Sequence, residues 1–169
     1  MLKISIKYAA ICSVFLVVIF HLSAYLGIDP LINLVHLIFD LMMFGLFILF
    51  ADKEFKAQQE HNIFHFWHGM TIGFNIYLAA TILFITYLAV YFAIDETAVI
   101  AYQDAANAFI QDKKQFYIDE MGEEAFQEQL QKIKETTSTD LLISSGLKKI
   151  IAGFFITPVI SIILRKQPK

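Results

Sequence analysis

The sequence predicts an all-α, polytopic membrane protein: four transmembrane helices with an extramembrane helical insertion between the third and fourth. Three observations carry this. Of 169 residues, 57% are hydrophobic and 17% charged, whereas soluble domains are nearer half apolar and about a quarter charged. The apolar residues gather in four stretches, 8–26, 31–50, 70–94 and 141–164, and a spanning helix needs about 20 such residues. Between the last two stretches lies an acidic segment, 95–140, in which eleven Asp and Glu face Lys113, Lys114, Lys132 and Lys134.

Each apolar stretch is best read as a helix. Lone strands leave backbone groups unpaired in lipid, and barrels need many alternating segments. A soluble core of four buried helices would leave too little polar surface to cover it. Lys3 and Lys7 before the first stretch resemble a secretory signal, but the stretch is longer than a usual signal core. Asp29 and Pro30 then lead at once into the second stretch, which suits a retained hairpin. Asp29 is expected to cap the second helix and Pro30 to fill its first turn. Cys12 falls inside a span and, as the sole cysteine, has no partner for an intrachain disulfide. No repeat or linker divides the chain, so residues 1–169 are read as one membrane domain.

Charge sets the expected orientation. Lys3, Lys7, Lys53, Lys56, Arg165, Lys166 and Lys169 all fall on one side of a four-span arrangement. Short cationic loops stay cytoplasmic. Both termini are therefore expected inside, and the acidic segment outside. Lys148 and Lys149 run against this pattern and are expected to snorkel outward.

The insertion has no Pro, and its one Gly is Gly122. Val99, Tyr102, Ala106 and Phe109 follow helical spacing, as do Phe126, Leu130 and Ile133. The expectation is a helix continuing the third span, a break near Gly122, and a shorter helix. Residues 136–140 would then turn the chain back. The two stripes can cover each other or dock a partner. A calcium site is disfavoured because the carboxylates lack loop spacing.

Polar residues within spans are costly and mark either hydrogen-bonded clasps or functional pockets. Asp40 sits mid-way along the second span, with His36 one turn earlier on the same face. Counted at 1.5 Å per residue, His21 and His36 both lie about 20 Å from the inner boundary, and Lys148 about 24 Å. His21, His36, Asp40 and Lys148 could thus share a pocket nearer the outer face. Asn75, Thr81 and Thr86 read as interhelical glue.

His61, His65 and His68 have i, i+4, i+7 spacing and could present one helical face to a divalent metal. Phe64, Phe66 and Trp67 interleave them, which is the composition of an interfacial anchor. Haem ligation by His21 or His36 lacks a second matched histidine. No cofactor is expected.

The layout resembles a family of four-span bacterial membrane proteins, found in Bacteroidetes, that is catalogued as domain of unknown function 4199. The likeness covers nearly the whole chain. It is carried by Phe64-His65-Phe66-Trp67-His68-Gly69 leading to Gly73, then Tyr91-Phe92-Ala93-Ile94-Asp95. After the charged insertion come Gly146-Leu147-Lys148-Lys149-Ile150-Ile151-Ala152-Gly153 and Ile160-Ser161-Ile162-Ile163-Leu164-Arg165-Lys166. The resemblance implies an inner-membrane address and brings no established activity. The three-histidine cluster is not a feature of that family.

No P-loop, Gly-x-Ser-x-Gly, His-Glu-x-x-His or dinucleotide fingerprint occurs, and no basic patch suits nucleic acid. The leading expectation is a non-enzymatic inner-membrane protein. It would act through its acidic external helices on a membrane-protein partner or on copies of itself, as a homo-oligomer. The alternatives are a small carrier or channel component built around the polar pocket, and a metal- or haem-binding membrane protein.

Overall fold

A computed structural model describes residues 1–33, 35–60, 63–95 and 97–166. Seven helices occur among them: α1 Leu2–Tyr25, α2 Val35–Ala57, α3 Phe66–Ile94, α4 Ala98–Asp112, α5 Lys114–Met121, α6 Glu123–Glu135 and α7 Ser138–Leu164. Four of them, α1, α2, α3 and α7, are long and apolar enough to cross a membrane. The shortest has 23 residues, about 34 Å at 1.5 Å per residue, against a hydrocarbon core of about 30 Å. At most 39% of any of these spanning windows is buried. Val14, Val18, Met42, Phe74, Ile82, Phe154 and Phe155 all face outward. A soluble protein would not expose such a band, so the outward faces belong to lipid.

Several helix ends lie beyond the apolar stretches. Lys3, Lys7, Lys53, Glu54 and Lys56 continue α1 and α2 as helix, because straight-chain charged residues are good helix formers. Hydropathy marks where a helix meets lipid, not where it stops. At that end Lys7 Nζ and Tyr8 Oη both donate to Glu54 Oε2, at 2.5 and 2.8 Å, tying α1 to α2. The start of α2 differs in the other direction. Asp29 Oδ1 accepts from the amides of Leu31 and Ile32, at 2.8 and 3.3 Å. It caps a separate turn, and α2 begins only at Val35. Pro30 therefore precedes the helix rather than opening it.

The order around the bundle is α1, α2, α7, α3, with α2 also touching α3 across the centre. Phe44, Ile48, Ile72, Ile76, Phe84 and Leu88 fill the core. The contact between α3 and α7 is unusually close. A Cβ on Gly73 would lie 2.4 Å from Thr157 Cγ2, and one on Gly153 2.4 Å from Tyr77 Cβ. Gly69 and Gly73 have the four-residue spacing by which membrane helices bring their backbones together. The expected polar glue of α3 is not what joins it to its neighbours. Thr86 Oγ1 donates to Ile82 of its own helix at 2.9 Å, and buried Thr81 Oγ1 has no partner.

The insertion departs from expectation at its root. It is not an extension of α3. Asp95 Oδ1 accepts from the amide and hydroxyl of Thr97, at 3.0 and 2.6 Å, ending α3 at Ile94 before α4 begins. Such side-chain turns compete with helix continuation. A second break falls at Lys113, and Gly122, at φ 87°, separates α5 from α6. Ala106, Ile110, Phe126, Leu130 and Ile133 bury one another between α4 and α6. Ile110 takes the place expected for Phe109, which is 40% exposed. The stripe runs 102, 106, 110 at steps of four, so the step of three to 109 leaves it. Thr137 and Asp140 close the insertion with a reciprocal capping box that starts α7.

Candidate functional site

The bundle interior holds an ion pair. Lys149 Nζ on α7 donates to Asp40 Oδ1 on α2 at 2.6 Å, and both side chains are under a tenth exposed. The same ammonium lies 4.2 Å from the centroid of the Phe84 ring on α3, a favourable cation–π position. Attraction within a low-dielectric interior offsets part of the desolvation cost, and the ring helps to solvate the cation.

Beside this pair is a cavity of about 90 Å³. Liquid water takes about 30 Å³ per molecule, so the space suits a few waters or one small solute. Leu16, Phe20 and Phe84 form its apolar wall, and His36, Asp40, Ser145, Lys148 and Lys149 its polar one. Leu31 and Ile32 of the α1–α2 connection roof it. His36 is buried, one turn before Asp40, and its Nε2 has no hydrogen-bond partner. Lys148, more exposed, donates from Nζ to the Leu31 carbonyl at 3.0 Å. The insertion rests on the roof, since Ile32 packs against its core. Tyr102 of α4 also joins that contact, and burial first, then the Asp29 carboxylate, pushes its phenol pKa up.

Of the four residues expected to meet, His36, Asp40 and Lys148 do, and His21 does not. His21 is exposed on α1, bonded to the Tyr87 hydroxyl of α3 and set edge-on to Tyr91. Its neighbour Phe20 lines the cavity instead. Depth along a helix was legible, but one residue is about 100° of rotation, enough to turn His21 away. Lys149 is the residue that sequence reasoning missed, having grouped both lysines as outward-reaching. The signal was present. Ser145, Lys149, Gly153, Thr157 and Ser161 recur every four residues, a face of small and hydroxyl groups in which Lys149 is the odd member. That face is buried.

Of the three histidines expected to share a metal-binding face, the structure describes His65 and His68. His61 lies outside the described residues. A shared face needs helix across 61–68, yet α3 begins at Phe66. His65 and His68 form a reciprocal cap instead, with the His65 amide donating to His68 Nδ1 at 3.2 Å. His68 packs against Trp67 and Phe55. Among the described residues no group of three His, Cys, Asp or Glu could hold a metal ion. Phe64 and Lys166 exchange backbone hydrogen bonds, at 3.0 and 2.8 Å, pinning this entry segment to the end of α7.

The family described as "Protein of unknown function (DUF4199)" matches residues 7–166. The chain belongs to that family. The match takes in α1 from Lys7 on, the other three spanning helices, the insertion and every residue of the cavity. No curated protein and no solved structure matches. For this DUF4199 protein the chemistry of the site must therefore be argued from its geometry. The site offers two ammonium groups, one carboxylate and one imidazole around a small space.

Proposed function

We propose that this DUF4199 protein is a non-enzymatic, multi-pass protein of the inner membrane that binds a small anionic solute beneath the α1–α2 connection, as a carrier or channel component. Its termini are cytoplasmic and its insertion external, on the strength of the Lys and Arg distribution. The observation that carries the reading is the pairing at the cavity. Asp40 is in contact with Lys149, while Lys148 donates to the Leu31 carbonyl and is attracted by Asp40 and Asp29 only at a distance. The Asp29 carboxylate is committed to the amides of Leu31 and Ile32, so Lys148 is the group left to hold an anion. A clasp between helices needs Asp40 and Lys149 alone. It requires neither the cavity nor Lys148, nor a buried His36 with an unused nitrogen.

Thermal unfolding of the purified protein in nanodiscs, with sodium formate, acetate or chloride titrated against gluconate, tests this. A ligand present at about 100 times its Kd adds about 2.7 kcal/mol to stability. At least one small anion should raise the Tm, and Lys148→Met should abolish the rise. No rise with any of the three, in wild type, rejects anion binding.

A second reading has the acidic external helices acting on a partner or a second copy. Phe109, Phe116 and Met121 favour it, being exposed on α4 and α5. Co-purification from native membranes tests it, with Phe116→Asp expected to release the associated protein.

A further inference from the structure

A second carboxylate is buried on α2, and the pocket does not use it. Asp52 has no solvent exposure, and neither of its oxygens has a hydrogen-bond partner. It lies twelve residues beyond Asp40, about 18 Å along the helix, toward the Lys-rich end of the bundle. An ionised carboxylate in that state is very costly, and such groups neutralise rather than stay charged.

Three helices converge on it. Asp52 Oδ2 lies 3.1 Å from the point where a Cβ on Gly69 would sit, and Ser161 Oγ lies 2.4 Å from the same point. Bare backbone on α3 therefore leaves a carboxyl from α2 and a hydroxyl from α7 bordering the same space. Ser161 Oγ donates its own proton to the Thr157 carbonyl at 2.8 Å, which leaves its lone pairs able to accept.

We infer that Asp52 is a proton-binding site, built at the α2–α3–α7 junction. The carboxylate takes one proton from water at the adjoining membrane surface. The resulting O–H donates to Ser161 Oγ across the gap left by Gly69. A metal cation would call for several oxygen ligands, whereas a proton needs one acceptor. Several of the charged groups toward this end have other commitments. On α2, Lys53 and Glu54 adjoin Asp52. Glu54 binds Lys7 and Tyr8 of α1, and Lys56 one turn on binds the Leu164 carbonyl. At the start of α3, the His65 amide donates to His68 Nδ1. Beyond α7, Arg165 and Lys166 follow Leu164. Asp52 hydrogen-bonds to none of them.

Infrared spectroscopy of the protein in nanodiscs, titrated with pH, tests the assignment. Wild type should show a carboxylic-acid C=O band that moves on ¹³C-aspartate labelling. The band should vanish in Asp52→Asn, persist in Asp40→Asn and shift in Ser161→Ala. A band unchanged in Asp52→Asn overturns the site. Should Asp52→Asn fail to fold, wild type is treated with dicyclohexylcarbodiimide, to whose central carbon a protonated buried carboxyl adds as its proton passes to nitrogen, and the adduct is mapped by mass spectrometry. Labelling of Asp52 that falls as pH rises supports the site, and no labelling at any pH overturns it. Protection of Asp52 by sodium chloride but not choline chloride overturns the proton in favour of sodium.

Discussion

Lys149 and Asp40 meet 2.6 Å apart inside the bundle, joining α7 to α2 where both side chains are buried. Removing one partner strands the other as a buried charge, which costs about 3–5 kcal/mol in comparable cases. Lys149→Met and Asp40→Leu should each destabilise by that order. The double variant should recover most of the loss. Unfolding of the three variants in detergent measures this, and losses that simply add would mean the two residues do not interact.

Asp40→Asn separates a clasp from a functional pocket. It keeps the shape and a hydrogen bond while removing the charge, and it unmatches Lys149. If the pair only holds helices together, growth complementation should survive the change. If the pocket functions, complementation should fail, or the anion response strengthen as Lys149 loses its partner, while the protein stays folded. His36→Ala should follow Asp40→Asn in that assay. His21→Ala should not, because His21 bonds Tyr87 away from the cavity.

The insertion should open when its shared core is charged. Ile110→Asp and Leu130→Asp each place a carboxylate among Ala106, Phe126 and Ile133, forfeiting about 1.5–3 kcal/mol of apolar burial in a small unit. Phe109→Asp should do far less, since Phe109 is half out of the core. Limited proteolysis of the insertion, with the spans still membrane-embedded, gives the comparison. Equal sensitivity of the 109 and 110 variants would contradict the register.

The approach of α3 to α7 should tolerate no side chain at Gly153. A methyl there would lie 2.4 Å from Tyr77 Cβ, so the helices must part or Tyr77 must move. Overpacking of this kind costs about 1–3 kcal/mol. Gly153→Ala should therefore lower the Tm in detergent, and Gly153→Ala with Tyr77→Gly, which removes the opposing Cβ, should regain part of it. A Gly153→Ala protein as stable as wild type would show the contact to be looser.

Topology is open to direct test. A reporter fused after Lys169 should be cytoplasmic, and one inserted at Gly122 external. Either reporter on the opposite side would reverse the proposed orientation and place the pocket near the inner leaflet.

What the sequence by itself determined were properties that are local along the chain. Apolar length picked out four spans, because hydrocarbon thickness is a one-dimensional constraint. Periodicity picked out the stripe of α6 and most of that of α4, because a helix repeats every 3.6 residues. The depths of His36, Asp40 and Lys148 followed from counting residues. What only the tertiary structure decided was rotation and register between helices. These depend on where α3 and α7 come close, at Gly73 and Gly153. That contact sends Lys149 rather than Lys148 to Asp40. Rotation about α1 gives His21 to Tyr87, and the continuation of α2 past its apolar stretch buries Asp52. Local turns made the remaining differences. Asp29 and Asp95 used their carboxylates on nearby amides, and His65 paired with His68 as a cap. A short polar side chain chooses such partners by the backbone path, which the neighbouring helices impose.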